Sequence, residues 1–165
     1  MILIALGSNL ASAAGTPAQT LTAAIAHLPQ HEMSVAAISP YYVTPAWPDP
    51  NDPSFVNAVA QIDTRHSPET LMEALHATEA AFGRVRSVMN APRTLDLDLL
   101  DFNGRVMQGP PVLPHPRLAE RAFVLVPLAD IAPHWRDPRT GRAVSELLAA
   151  LPAAERAAVR PISSG

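Results

Sequence analysis

The sequence has no cysteine, so neither a disulfide nor a thiolate metal site can stabilise its fold. It also has no lysine, and its 12 basic side chains, all arginines, are outnumbered by 15 acidic ones, which gives a net charge of -3. This mild acidity argues against general nucleic-acid binding, which needs a basic surface. Glycine is scarce, at 7 residues against 18 prolines, so we expect stiff connections rather than long flexible linkers.

Long apolar runs are missing as well. The run from Met1 to Leu6 stops at Gly7, has no basic leader and is too short for a signal peptide or a membrane span. Together with the lack of cysteine, this predicts a cytoplasmic protein that does not contact membranes. At 165 residues, 48% of them hydrophobic, the chain is expected to form a single domain over residues 1–165 with a real core. Since no amphipathic seam stands out, we expect a monomer.

Hydrophobic periodicity predicts an alternating order of strands and helices. The predicted strands cover Ile2–Leu6, Met33–Val43, Phe55–Ile62 and Thr94–Phe102, and the predicted helices begin at Pro17 and Pro68. Thr16 and Ser67 are suitable N-caps for the two helices. The order βαββαβ is typical of an α+β fold with an antiparallel sheet and both helices on one face, the ferredoxin-like arrangement.

The C-terminal third is expected to add a helical extension to this core. A short helix is predicted over Val124–Ile131, despite its internal proline, and a final helix over Val144–Leu151. Arg156 and Arg160 are expected to be solvated tail charges, and the last residues are expected to be frayed.

Two aspartates stand out in the last predicted strand. Polar and apolar residues alternate there, so Asp96 and Asp98 share a face, about 6 to 7 Å apart, and two ionised carboxylates repel each other unless a cation lies between them. Oxygen ligands without cysteine favour magnesium, which usually binds together with phosphate. Three arginines, Arg84, Arg86 and Arg93, lie close in sequence and suit a polyphosphate. The aspartates of an ordinary amphipathic strand facing solvent are the alternative.

Two proline-rich segments are further candidates for function. The connection from Thr44 to Pro53 has ten residues, four of them proline, and contains Trp47; it is too long and stiff for a simple hairpin turn. It is either a functional loop or a surface loop whose tryptophan covers the core. His115, between two prolines, has either a structural or a chemical role.

Several blocks resemble one family. Ala5-Leu6-Gly7-Ser8-Asn9-Leu10, Gly83-Arg84-Val85-Arg86, Pro92-Arg93-Thr94-Leu95-Asp96-Leu97-Asp98, Leu113-Pro114-His115-Pro116-Arg117 and Glu120-Arg121-Ala122-Phe123 are similar to blocks of 6-hydroxymethyl-7,8-dihydropterin pyrophosphokinase, in the same order. The resemblance implies a ferredoxin-like enzyme of folate biosynthesis. It would transfer the terminal pyrophosphoryl unit of ATP to the hydroxymethyl oxygen of a dihydropterin and release AMP.

The resemblance also implies roles for individual residues. It makes Arg84, Arg93, Asp96 and Asp98 catalytic, with both aspartates holding two Mg²⁺ ions, and it assigns ATP contacts to Arg86, Leu99, His115, Arg117 and Arg121. The pterin would contact Thr44, Pro45, Ala46, Phe55, Asn57 and Phe123, with the two phenylalanines above and below its ring. ATP and the dihydropterin are therefore the expected partners.

One departure from the family pattern keeps a second hypothesis open. Related sequences usually carry a further arginine, or an Arg-Trp pair, in the loop where this chain has Ser87-Val88-Met89-Asn90-Ala91. A catalytically impaired paralogue is therefore one alternative. A ferredoxin-like module that binds a nucleotide without transfer is another, although aromatic residues make up only 5% of the chain and RNA-binding sheets use aromatics in basic surroundings.

Overall fold

The computed structural model describes residues 1–46, 49–83 and 94–162, which form a mixed α/β fold around an antiparallel sheet. Its strands are β1 (Ile2–Ser8), β2 (Met33–Ile38), β3 (Tyr42–Thr44), β4 (Phe55–Thr64), β5 (Asp96–Phe102), β6 (Met107–Gln108), β7 (Val112–Leu113) and β8 (Arg160–Pro161). Its helices are α1 (Pro17–His27), α2 (Pro68–Ala81), α3 (Ala122–Ile131), α4 (Val144–Ala150) and α5 (Ala153–Ala157).

The main sheet has six strands in the order β5-β1-β4-β3-β8, with β2 also paired to β4. The predicted strand from Met33 to Val43 is in fact divided into β2 and β3, which pair with successive parts of β4. The break has two causes. Ser39 Oγ accepts a hydrogen bond from the Val59 amide at 3.0 Å, and Pro40 has no N–H to continue the ladder. Strands β6 and β7 form a separate hairpin that the sequence did not predict.

Both long helices begin where the sequence predicted. Thr16 Oγ1 accepts a hydrogen bond from the Gln19 amide, and the Gln19 side chain accepts one from the Thr16 amide in return. Ser67 and Thr70 make the same reciprocal pair at the start of α2. Such capping boxes stabilise a helix start by about 1 kcal/mol each, and they fix where the chain turns back over the sheet.

The sheet is covered on both faces. Helices α1 and α2 bury Leu21, Leu71 and Leu75 against the β1 residues Ile4 and Leu6, so they share one face as predicted. The opposite face, which includes Leu3, Val59 and Leu100, packs against α3 and α4. The C-terminal helices thus form the predicted extension. They leave the end of this second face near Gly7 open, and the cleft described below lies there.

The C-terminal segment is paired to the sheet up to residue 162, although Arg160 is exposed as expected. Residues 163–165, where fraying was predicted, lie outside the described residues. Arg160 lies in β8 opposite Val43, and the Ile162 amide donates to the Tyr41 carbonyl at 2.9 Å. Val159 is buried and packs against Tyr42, which anchors the segment. No hydrophobic period predicts this pairing, because Val159 is a single apolar residue among alanines and charged residues.

Within the described ranges, no helix is long and apolar enough to cross a membrane.

Candidate active site

A cleft of about 530 Å³ opens at the end of the sheet. Strands β1, β3, β4 and β5 form its floor, and the start of α3 forms one side. Nine of the predicted site residues line it: Thr44, Pro45, Phe55, Asn57, Asp96, Asp98, Arg117, Arg121 and Phe123. The fold therefore brings the predicted metal ligands and most of the predicted pterin contacts into one cavity.

The two aspartates lie on the cleft side of β5. Leu97 and Leu99, which alternate with them, are buried in the core between the sheet and the two long helices. Asp96 and Asp98 are each partly exposed. Arg121 approaches Asp98, with Nη1 3.9 Å from Oδ2, and both side chains remain about one third exposed. An ion pair of this length and exposure contributes little to stability, so Arg121 remains available to bind a second anion.

A buried glutamate that sequence analysis missed anchors the same strand. Glu79 on α2 is 1% exposed, and its Oε2 accepts a hydrogen bond from the Leu97 amide at 2.8 Å. This amide lies between the two aspartates in the chain. A helix side chain thus fixes the backbone that presents both carboxylates. The helix period places Glu79 on the apolar face of α2, next to Leu75 and Thr78, which is the signal that was available in the sequence.

The predicted pterin side of the cleft contains a buried polar pair. Asn57 Nδ2 donates to Thr44 Oγ1 at 2.7 Å, and both residues are nearly inaccessible. The bond joins β3 to β4, whose register sets Thr44 opposite Phe55. Because the Asn57 amide is held on one side, its Oδ1 is left in a defined direction toward Gly7 on β1.

The close approach of Asn57 and Phe55 requires a glycine at position 7. A Cβ atom there would lie 2.9 Å from Asn57 Oδ1 and 3.7 Å from Phe55 Cδ1. We expect Gly7→Ala to displace the Asn57 amide and weaken its bond to Thr44. For the pterin that the sequence motifs predict as substrate, KM should rise about three- to tenfold, as expected for one lost hydrogen bond. Steady-state kinetics with each substrate varied in turn measure this. Ala58→Gly, which removes a methyl group next to Asn57 on the same strand, serves as the control. Unchanged pterin KM in Gly7→Ala would contradict the proposed contact.

Strand β3 is also tied to α3. The Tyr42 hydroxyl donates a hydrogen bond to Asp130 Oδ2. Burial, and then this carboxylate, raise the pKa of Tyr42 to about 12, so the tyrosine stays protonated and keeps donating. Two residues further along β3 comes Thr44, and α3 begins next to Phe123. The tyrosine bond therefore fixes the distance between two predicted walls of the pterin site.

The remaining predicted residues lie in other places. His115 lies beside the cleft, where its Nδ1 accepts from the Arg117 amide at 3.1 Å. Ala46 is buried, and the Leu99 side chain belongs to the core, which leaves only its backbone for the predicted adenine contact. Arg84, Arg86, Arg93 and Met89 fall outside the described residues.

His115 should make stability depend on pH. Burial, and then the charge of Arg121, lower its pKa from 6.5 to about 4. Between pH 4 and pH 6.5 the unfolded chain binds a proton at this histidine that the folded chain does not bind. The free energy of unfolding therefore decreases as the pH falls from 6.5 to 4, and above pH 6.5 this histidine adds no pH dependence.

We therefore expect the free energy of unfolding of the metal-free protein to fall from pH 6.5 to pH 4, and to fall less in His115→Asn. Urea unfolding at half-unit pH steps measures both slopes. At pH 7.5 to 8.5 the difference between parent and variant should be constant. Parallel curves from pH 6.5 to 4 would contradict the assignment.

The chemistry of the cleft fits magnesium held together with a phosphate. Within residues 1–46, 49–83 and 94–162, no group of three or more histidine, aspartate or glutamate side chains could enclose a metal ion. Mg²⁺ does not need such a cage, since it usually binds through one or two carboxylates and completes its shell with water and substrate phosphates. Asp96 and Asp98 are suitable ligands of this kind.

The cleft contains further residues that sequence analysis did not assign to it. Glu120 lies in the turn before α3, Ala122 is the first residue of α3, and Glu155, Ala158 and Val159 come from the C-terminal segment. The first two adjoin residues already singled out. The other three follow the last predicted helix, in a segment for which the sequence predicted only solvated charges.

With this geometry established, comparison with known proteins decides the family. The family model described as 7,8-dihydro-6-hydroxymethylpterin-pyrophosphokinase (HPPK) matches residues 3–133. The chain belongs to the HPPK family. It is therefore an ATP-dependent pyrophosphokinase by family, and the prediction made from its motifs is confirmed.

Curated relatives agree with this assignment. The chain is 44% identical over 155 residues to the 2-amino-4-hydroxy-6-hydroxymethyldihydropteridine pyrophosphokinase of Pseudomonas aeruginosa, covering 92% of this chain and 91% of that protein. Proteins of the same name from Synechocystis and Bacillus subtilis are 36% and 39% identical, over 99% and 78% of this chain and 80% and 75% of theirs.

Solved structures support the fold. The HPPK-DHPS of Plasmodium falciparum matches with a TM-score of 0.66 at 13% identity, over 90% of this chain. This chain spans only 44% of the length of that protein. At this identity the likeness shows the fold alone. It confirms the mixed α/β architecture with its antiparallel sheet.

Proposed function

We propose that this HPPK-family protein transfers the pyrophosphoryl group of ATP to the hydroxymethyl oxygen of 6-hydroxymethyl-7,8-dihydropterin. One observation carries the proposal: two carboxylates suited to Mg²⁺ and a wall suited to a flat ring lie in the same cleft of about 530 Å³. Two substrates that must react with each other need adjoining sites of these two kinds. The names of the curated relatives, which state the pyrophosphokinase activity on this pterin, support the choice of substrate.

The carboxylate end suits the triphosphate. In the proposal Asp96 and Asp98 hold two Mg²⁺ ions, which supply charge neutralisation and in-line alignment of the phosphates. Arg121 lies beside Asp98 and binds a phosphate oxygen, with Arg117 at the cleft edge as a further contact. His115 stays neutral near pH 7 because of its lowered pKa, so it can donate one hydrogen bond without adding charge.

The opposite end suits the pterin. Phe55 and Phe123 are half-buried at the cleft and offer apolar surfaces to the two faces of a ring. Arg121 lies over the Phe123 ring at 5.4 Å, which joins the wall of the pterin site to the phosphate site. Asn57, together with Thr44, Pro45 and Ala46, recognises the polar edge.

The transfer needs positioning more than covalent chemistry. The hydroxymethyl oxygen bonds to the β-phosphorus and loses its proton to solvent. The bond from this phosphorus to the oxygen bridging it to the α-phosphorus breaks, and AMP leaves with that oxygen. The side chains of the cleft hold the two reactants in line, and Arg121 offsets charge on the phosphate oxygens. Arg84 and Arg93, which the family resemblance makes catalytic, complete the proposed set.

An assay for AMP tests the function directly. The protein is incubated with ATP, MgCl₂ and 6-hydroxymethyl-7,8-dihydropterin, and AMP and the pyrophosphorylated pterin are quantified by chromatography. Equal amounts of both products are expected, and neither should form when the pterin or magnesium is omitted. ATP binding without AMP would instead favour the non-transferring module or the impaired paralogue. The family match does not favour this paralogue.

Three finer statements stay proposals. The sheet order β5-β1-β4, with β2 and β3 on the outer side of β4, supports the ferredoxin-like arrangement. The strand that precedes β4 in that arrangement is here divided into β2 and β3. The monomeric state and the cytoplasmic location stay predictions from the sequence. Size-exclusion chromatography with light scattering tests the first of these two.

A further inference from the structure

We propose that the C-terminal segment, residues 153–162, is a wall of the pterin site and that Glu155 is a specificity-determining residue for the donor edge of the ring. This inference rests on the proposed function. The match to the HPPK family model covers residues 3–133, so it assigns no role to this segment.

The segment is held firmly against the pterin side of the cleft. Strand β8 pairs with β3, so Arg160 lies opposite Val43, one residue before Thr44. Val159 is 9% exposed and packs with Tyr42 and Ala122, the latter directly preceding Phe123. A segment anchored on both β3 and the start of α3 spans the two elements that supply the predicted pterin contacts.

One face of the segment is turned to the cavity. Glu155, Ala158 and Val159 line the cleft. Glu155 belongs to α5 and is exposed, so it lies at the solvent side of the cleft, and Ala158 and Val159 follow the helix. Ala157 is exposed as well but does not line the cleft. The anchored residues that follow Glu155 hold it at the edge of the cavity.

The charge of Glu155 indicates what it contacts. A carboxylate accepts hydrogen bonds and repels phosphate, so it is suited to a substrate region that carries only donors. The substrate named for the relatives is a 2-amino-4-hydroxy pteridine, whose 2-amino group carries N–H donors. ATP at the aspartate end brings only negative charge. Glu155 thus complements the pterin and disfavours entry of a polyphosphate into the pterin end.

Two variants with matched controls test the wall and the charge separately. Ala158→Leu fills the cleft, and Ala157→Leu adds the same side chain on the exposed side. Glu155→Gln removes the charge, and Glu73→Gln removes one from the exposed face of α2. We expect the pterin KM to rise about tenfold in Ala158→Leu and three- to tenfold in Glu155→Gln, with ATP KM and kcat within twofold of the parent and both controls unchanged.

A substrate analogue gives a sharper readout than KM alone. The parent should prefer the 2-amino pterin over the analogue with oxygen at that position, and Glu155→Gln should lose three- to tenfold of this preference. An unchanged preference, or an unchanged pterin KM in Ala158→Leu, overturns the proposal. If the parent itself forms no AMP, the proposed function fails instead, and fluorescence titration of the same variants with the pterin still tests the wall.

Discussion

Replacing Asp98 by asparagine, and separately Asp96 by asparagine, is expected to lower the rate of AMP formation by about 100-fold or more. Both carboxylates lie on the cleft side of β5, and within the described residues no third acidic group joins them to form a metal cage. An amide keeps the shape of the side chain but lacks the negative charge that holds a divalent cation. The loss should therefore appear in kcat, and excess magnesium should restore only part of it.

Stability separates this effect from misfolding. The repulsion between the two carboxylates is offset by the ion pair of Asp98 with Arg121, so removing one charge should change the free energy of unfolding by less than about 1 kcal/mol. Asp63→Asn, on an exposed position of β4, is the matched control and should not change the rate. Full AMP formation by Asp96→Asn and Asp98→Asn would overturn the metal assignment, and a large loss of stability would show that the carboxylates have a structural role.

The parts of the fold that the sequence predicted depend on local signals. The alternation of leucine and aspartate in β5 placed Asp96 and Asp98 on one face, and the structure confirms it because Leu97 and Leu99 are core residues. Thr16 and Ser67 predicted the helix starts because a capping side chain bonds within its own turn. Sequence signals that depend on only a few neighbouring residues can be recognised without knowledge of the tertiary structure.

The parts that were missed depend on contacts between distant segments. Strand β2 ends where the Ser39 side chain accepts a hydrogen bond from the Val59 amide, twenty residues away, and no hydrophobic period predicts this end. The C-terminal segment forms a wall of the cleft because Val159 packs against Tyr42, which is distant in the sequence. The motifs of the candidate site were recognisable, and the helix period placed Glu79 on the buried face of α2, but its bond to the Leu97 amide and the C-terminal side of the cleft were not predictable.

Glu79 is the clearest case of such a supporting residue, and its removal should have the largest effect on stability. Its carboxylate is buried and accepts from the Leu97 amide at 2.8 Å. In Glu79→Ala the Leu97 amide stays buried but loses this acceptor, and a cavity replaces the four heavy atoms that are removed. We expect a loss of about 2–4 kcal/mol in the free energy of unfolding, measured by urea denaturation.

The same change should also lower activity at temperatures where the protein remains folded. The Leu97 amide is fixed by Glu79 between two residues that must direct their carboxylates into the cleft, so a looser β5 positions Asp96 and Asp98 less well. Glu79→Gln retains an acceptor oxygen and should cost less than Glu79→Ala, both in stability and in kcat. Glu73→Ala, on the exposed face of the same helix, is expected to stay within about 0.5 kcal/mol of the parent. Equal losses of stability in Glu79→Ala and Glu73→Ala would mean that Glu79 stabilises the helix itself and not its contact with β5.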